Sequence, residues 1–216
     1  MGHRKLSLPR RTIGHVTIVV ASPTAPPIHG LDIETDTATG GLDPDRSRIL
    51  AAAVATEGGT IVLDDPSETR LLRGLDDLMA ELPAGVIATW FGSGFDLPYV
   101  ARRAEICSVA LGLRTIADPR APGRVAGAWH HHTHLDAHRL WAHVRTALGV
   151  SASLKSVAGH NGLRAVAEEP ARVHELSPAR LQAYVASDAE LAASLARHQW
   201  SRAHVAIDEL IIPPRQ

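Results

Sequence analysis

The stretch Leu31-Asp32-Ile33-Glu34-Thr35 constrains the fold more than any other part of the chain. Side chains alternate between the two faces of a strand, so Leu31 and Ile33 point one way and Asp32 and Glu34 the other. Apolar residues anchor the strand, and two carboxylates emerge together at its end. Like charges so close repel unless something positive lies between them, and a divalent cation is the usual answer. The same letters also describe a strand running into an acidic turn, because Asp36, Thr37 and Gly40-Gly41 follow. D-x-E alone is too common to choose between the two.

The elements around this strand indicate a mixed α/β sheet. Thr12 to Val20 reads as a strand, Ser22 to Gly30 as a proline-rich loop, and Ile28 to Glu34 as the central strand. Arg48 to Ala55 and Thr60 to Leu63 flank Glu57-Gly58-Gly59 and predict a hairpin. Ser67 opens a helix to about Glu81, with Leu71, Leu72, Leu75, Leu78 and Met79 on one face. Val86 to Phe91 is a buried strand, and Gly92 to Pro98 a turn opening a helix to about Ala110. A strand over 112–118 and a loop over 119–127 follow. His134 to Asp136 leads into a helix to about Leu148, and Ser153 starts a short helix ending near Gly159. Ser177-Pro178 opens the last long helix, expected to reach about Ala206. A meander of strands followed by alternating helices and strands points to one sheet with helices packed against it. Residues 1–12 read as a basic, loosely ordered arm and 13–212 as a single domain.

Two stretches downstream carry further acids. Trp90-Phe91-Gly92-Ser93-Gly94-Phe95-Asp96-Leu97-Pro98-Tyr99 closes a strand and begins a helix, with Pro98 suited to the first turn. Asp96 there reads first as an ordinary N-cap. Tyr184-Val185-Ala186-Ser187-Asp188 lies inside the last helix, where residues i and i+4 share a face. Asp is a poor mid-helix residue, and the alanines at 183, 186, 189, 192 and 193 would let something approach that helix closely.

Together the three stretches resemble the DEDDy branch of the 3′→5′ exonucleases. Asp32 and Glu34 match the first motif, in the D-I-E-T form of the proofreading domain of family-B DNA polymerases. Phe95-Asp96-Leu97-Pro98-Tyr99 matches the second motif, and Tyr184 with Asp188 the Y-x-x-x-D of the third. The resemblance covers Ile28 to Leu195 and is nearest to stand-alone relatives of that domain. Leu135-Asp136 and Ser153-Leu154-Lys155-Ser156-Val157-Ala158 also look like segments of that group. One departure stands out: the second motif usually carries Asn five residues before its Asp, and here the position is Phe91. That change bears on how the terminal nucleotide is held.

The resemblance implies a ribonuclease H-like fold, a mixed central β-sheet flanked by helices. It implies hydrolysis from the 3′ end of single-stranded DNA, releasing nucleoside 5′-monophosphates. Asp32, Glu34, Asp96, Tyr184 and Asp188 would be the catalytic set. Four carboxylates without cysteine ligands suit two Mg²⁺ or Mn²⁺ ions, about 3.5–4 Å apart and clamping the phosphodiester in line. By resemblance Asp32 bridges both ions, Glu34 and Asp188 hold one, Asp96 supports the other, and Tyr184 orients a water. Thr35, Phe95, Arg102 and Arg103 are the candidate substrate contacts. The alternatives are an exoribonuclease similar to ribonuclease D and a nucleic-acid-binding module on an inactive nuclease fold.

Composition narrows the setting. The net charge of −1, with histidine neutral, gives no global basic field to draw in nucleic acid. The single Cys107 excludes an internal disulfide and a cysteine-based zinc site, and fits a reducing compartment. No apolar run suits a signal sequence or a membrane span, so the expectation is a soluble cytoplasmic protein. His130, His131, His132 and His134 cluster beside Trp129. Consecutive residues diverge in direction and no spaced partner completes a zinc or nickel site. The cluster therefore reads as a mobile, substrate-facing or solvated loop.

Overall fold

The computed structural model describes residues 10–13, 16–19, 25–38, 42–119 and 121–203. Most of the expected basic arm lies outside these residues, and the last long helix, expected to reach about Ala206, ends at His198. Two short strands, β1 (Arg10–Ile13) and β2 (Val16–Val19), pair antiparallel in a small sheet of their own. They replace the single strand expected over Thr12 to Val20.

The main sheet has seven strands: β3 (Ile28–Thr35), β4 (Ile49–Thr56), β5 (Gly59–Leu63), β6 (Val86–Thr89), β7 (Leu113–Ala117), β8 (Val125–Trp129) and β9 (His132–Asp136). Their spatial order is β5-β4-β3-β6-β9-β8-β7. The β3-β4-β5 meander and the β7-β8-β9 meander are antiparallel, and the three central strands β3, β6 and β9 run parallel. Parallel strands need crossovers, and helices α1 (Glu68–Glu81) and α2 (Asp96–Ile106) lie in them. The chain then continues through α3 (Ala137–Leu148), α4 (Leu154–His160), a 3-10 segment (Pro170–Glu175) and α5 (Pro178–His198).

Alternation along β3 divides the core in two. Leu31 and Ile33 pack with Leu71, Leu72, Leu75 and Met79 of α1 and Leu97 and Val100 of α2. Ile28 packs on the other side with Trp141 of α3, Val157 of α4 and Leu191 and Leu195 of α5. β4 follows the same rule with smaller residues: Ala51, Ala53 and Ala55 meet Val185 and Ala189 of α5. The even-numbered face of β3 is therefore the α5 face, and Asp32 and Glu34 lie on it. The mixed, helix-flanked α/β sheet expected from the sequence is the architecture found.

Two stretches differ from the sequence reading. The expected loop over 119–127 runs into β8, and the histidine stretch forms the β8–β9 turn and β9 itself. Alanine, glycine and histidine are weak strand formers, so only pairing with β7 and β6 defines these strands. No helix among the described residues is long and apolar enough to cross a membrane.

Candidate active site

α5 reaches the acids because β3 leaves it room. Gly30 precedes Asp32 by two on the same face, and a Cβ there would sit 1.9 Å from the Ala189 carbonyl oxygen. The helix thus rests directly on strand backbone, with Ala189 and Ala193 as the contact residues. Asp188 is carried in with it. One oxygen from each of Asp32, Glu34 and Asp188 lies within 4.8 Å of the other two. Asp188 Oδ1 is buried and has no hydrogen-bond partner. An orphaned acceptor beside two further carboxylates fits a hard divalent cation, which takes oxygen ligands.

Asp96 arrives from the opposite side of the strand. Phe95, not Asp96, is the N-cap of α2, and it makes no side-chain capping bond. Asp96 sits in the first turn, where its own amide and the Ile33 amide of β3 pull its carboxyl pKa down. Its charge acts on both Asp32 and Glu34, but it is not one of the three acids whose oxygens cluster.

The turn before Asp96 is built on a residue whose role is not legible in the sequence. β6 ends at Thr89, so Phe91 is not a strand residue as expected. Buried Asp136, at the end of β9, accepts from the amides of Phe91 (3.0 Å), Ser93 (3.3 Å) and His138 (3.1 Å) and from the Ser93 hydroxyl. Gly92 N donates to Thr89 Oγ1 at 3.1 Å. These bonds turn the chain sharply and hold Phe91 at φ 72°.

The acids raise one another's pKa. Burial, then the charges of Glu34, Asp96 and Asp188, push the Asp32 carboxyl well above its usual value. Burial and the Asp188 charge push Glu34 up to about 8. Burial puts Asp96 at about 7 against the pull of its two amide donors, and Asp188 at about 6 despite Lys155 nearby. With no cation between them, these groups resist full ionisation at neutral pH.

Lys155 of α4 brings in the local positive charge. Its Nζ lies 3.5 Å from Asp188 Oδ2 and 3.8 Å from the Tyr184 ring centroid, a cation–π distance. Tyr184 is buried on α5, one turn before Asp188. Burial, then the charges of Glu34, Asp188 and Asp32, hold its phenol above the ordinary value, so it stays protonated. The sequence marks this lysine within Ser153-Leu154-Lys155-Ser156-Val157-Ala158, a stretch that resembles the exonuclease group, but not its contact with Asp188.

The remaining candidates lie elsewhere. Thr35 is buried near Tyr99, whose phenol pKa it lowers and whose hydroxyl donates to Ser47 O at 2.8 Å. Phe95 stacks tilted on Tyr99 at 5.1 Å. Arg102 is exposed and paired with Asp45 and Glu105. Arg103 corrects the expectation of a groove contact: its guanidinium is buried against Glu68 and donates to Pro44 O, bracing α2 on α1. The histidines also differ from a mobile loop. His131 Nε2 donates to Leu82 O at 2.7 Å and His132 Nε2 to Met79 O at 2.9 Å, while His134 Nε2 pairs with Thr89 Oγ1 at 2.8 Å and His130 Nε2 lies 3.1 Å from Asp76. The rings of His131, His132 and His134 are structural ties, whereas His130 Nε2 is buried without a hydrogen-bond partner.

No family model matches the chain, and no curated protein matches it. Among solved structures the chain is similar to the family B DNA polymerase from the hyperthermophilic archaeon Pyrobaculum calidifontis, with a TM-score of 0.67 and 21% identity. The match covers 90% of this chain but only 28% of that polymerase. With the seven-stranded mixed sheet, this places the chain in the ribonuclease H-like fold.

Proposed function

We propose that the chain is a metal-dependent 3′→5′ exonuclease that hydrolyses single-stranded DNA from a free 3′ end and releases nucleoside 5′-monophosphates. The observation that carries this reading is the meeting of Asp32, Glu34 and Asp188, from strand and helix far apart in sequence, with an unpartnered oxygen on Asp188. Likeness to a family B DNA polymerase supports it, because the three motifs match the proofreading domain of that class.

The residues divide the work. Asp32, Glu34 and Asp188, with Asp96 beside them, would hold two Mg²⁺ or Mn²⁺ ions. Those ions, when bound, supply positive charge to the phosphodiester and acidify the attacking water. The water gives up a proton to solvent and its oxygen forms a bond to phosphorus while the P–O3′ bond breaks; O3′ of the shortened strand takes a proton from solvent, and the phosphate leaves on the 5′ oxygen of the terminal nucleoside. Tyr184, protonated, orients the water by hydrogen bonding rather than removing its proton. The Lys155 ammonium offsets part of the acids' repulsion toward the incoming phosphate. Asp136 acts at one remove, by fixing the turn that presents Asp96.

The test is incubation with 5′-labelled DNA and RNA oligomers of one sequence, in Mg²⁺, Mn²⁺ or EDTA. A ladder shortening from the 3′ end of DNA, with metal only, is the expected result. Preferential shortening of RNA would replace the substrate, and binding without cleavage in either metal would reduce the protein to a binding module.

A further inference from the structure

We propose that Phe91 and Arg124 form a nucleobase-stacking platform beside the acidic centre, gripping the strand whose 3′ end the acids attack. This rests on the exonuclease reading above. A bulky L-residue at φ 72° is a backbone outlier, and Phe91 is 40% exposed, so the core does not use its ring. The conformation is imposed by the bonds that Asp136 makes to the turn. Gly94 makes the seat: a Cβ there would meet Phe91 Cε1 at 2.8 Å. The Arg124 guanidinium carbon lies 3.8 Å from the Phe91 ring centroid, and the His138 ring meets Phe91 edge-on at 5.4 Å.

Position makes the occupant a nucleic-acid strand. The Phe91 carbonyl accepts from Gly94 N at 2.9 Å and Phe95 N at 3.1 Å, so the platform is one turn from Asp96. It stands at the C-terminal ends of parallel strands, where open α/β sheets bind ligands. Arg124 is paired through Nη1 with Asp136 Oδ2 at 3.4 Å and Ser93 Oγ at 3.2 Å, which holds its guanidinium over the Phe91 ring. A guanidinium so placed can stack on a base or turn to a phosphate. With a net charge of −1, binding must come from such local groups.

The experiment measures binding of a fluorescein-labelled oligothymidylate in Ca²⁺, with the oligomer checked to remain intact. A second oligomer is the same but abasic at its last two 3′ positions. The wild type is expected to bind the ordinary end on the order of tenfold more tightly than the abasic end. Phe91→Gly suits the positive φ and removes the ring, so it should fold and lose that discrimination. Phe91→Leu keeps apolar bulk without the π face and should lose it too. Arg124→Leu should lower the salt slope of binding by about one. Folded Phe91 variants that still discriminate between the two ends would overturn the platform while leaving the exonuclease reading intact. A wild type that binds neither oligomer would overturn both.

Discussion

The two ends of the parallel strands β3, β6 and β9 each gather titratable side chains, and they do opposite things with them. At the N-terminal end, His29, His131 and His132 donate to the carbonyls of Pro83, Leu82 and Met79. These carbonyls close α1, whose last turn has no basic residue of its own. The imidazoles therefore satisfy a helix terminus. At the C-terminal end, Asp32, Glu34 and Asp188 face one another, with the charge of Asp96 acting on Asp32 and with Lys155 beside Asp188. His29 Nδ1 and His132 Nδ1 are buried without a partner, as Asp188 Oδ1 is, so an orphaned atom alone does not mark a site. What separates the two ends is charge: burial keeps the His132 imidazole neutral with one nitrogen on a carbonyl, whereas at the other end carboxylates meet one another.

The strongest way to break this contrast is to remove an acid. Asp32→Ala should abolish cleavage while the fold survives, and without metal it should melt higher than wild type because repulsion falls. Near-normal turnover by the folded variant would end the metal reading. Asp188→Asn should likewise lose turnover together with metal affinity, measured by titration calorimetry.

Tyr184→Phe should cost about 10²–10⁴-fold in single-turnover rate and leave metal affinity nearly unchanged. A variant as fast as wild type, or one that no longer binds metal, would show that the phenol does not orient the water.

Gly30→Ala touches no acid, yet its Cβ would press on the Ala189 carbonyl and lift α5 from β3. The expected cost is about 1–3 kcal/mol in denaturant unfolding, with weaker metal binding as Asp188 moves away. Unchanged metal affinity would mean that the close approach does not position Asp188.

Titration sharpens the comparison, because the two ends respond to pH with opposite signs. Glu34 at about 8, Asp96 at about 7 and Asp188 at about 6 stand above the ordinary 4.5 and 3.8. Their contribution to stability is present below about pH 4 and lost as pH rises through 6 to 8. At the histidine end His132 stands at about 4 instead of 6.5, because burial disfavours its charged form. Its contribution is present above pH 6.5 and lost as pH falls toward 4. Metal-free protein should therefore lose stability between pH 6.5 and 8, and saturating Mg²⁺ should remove that loss. A metal-free melting temperature flat across that range would contradict the raised acids.

The smallest effect belongs to the histidine end. His132→Leu leaves the Met79 carbonyl without its donor and should cost about 1–3 kcal/mol. Its acid-side loss of stability should shrink, and cleavage by the folded protein should not change. A loss of cleavage would bring this end of the sheet into the function.

Local periodicity was enough to read part of this protein from its sequence. Alternation in Leu31-Asp32-Ile33-Glu34 gave the strand and the shared face of its acids, and i to i+4 spacing put Tyr184 and Asp188 on one side of a helix. Apolar spacing predicted α1, and the cap at Ser153 predicted α4. Tertiary structure decided the rest, because pairing across long sequence separation leaves no local pattern. β8 and β9 exist through their neighbours, not through their own propensities. Asp96 is a first-turn acid whose carboxyl feels the Ile33 amide, which only the packing of α2 against β3 could determine. Arg103 looked like any helix arginine until folding buried it against Glu68. Lys155 gained its place from α4 meeting α5, and Phe91 its left-handed backbone from the carboxylate of Asp136, 45 residues further along the chain.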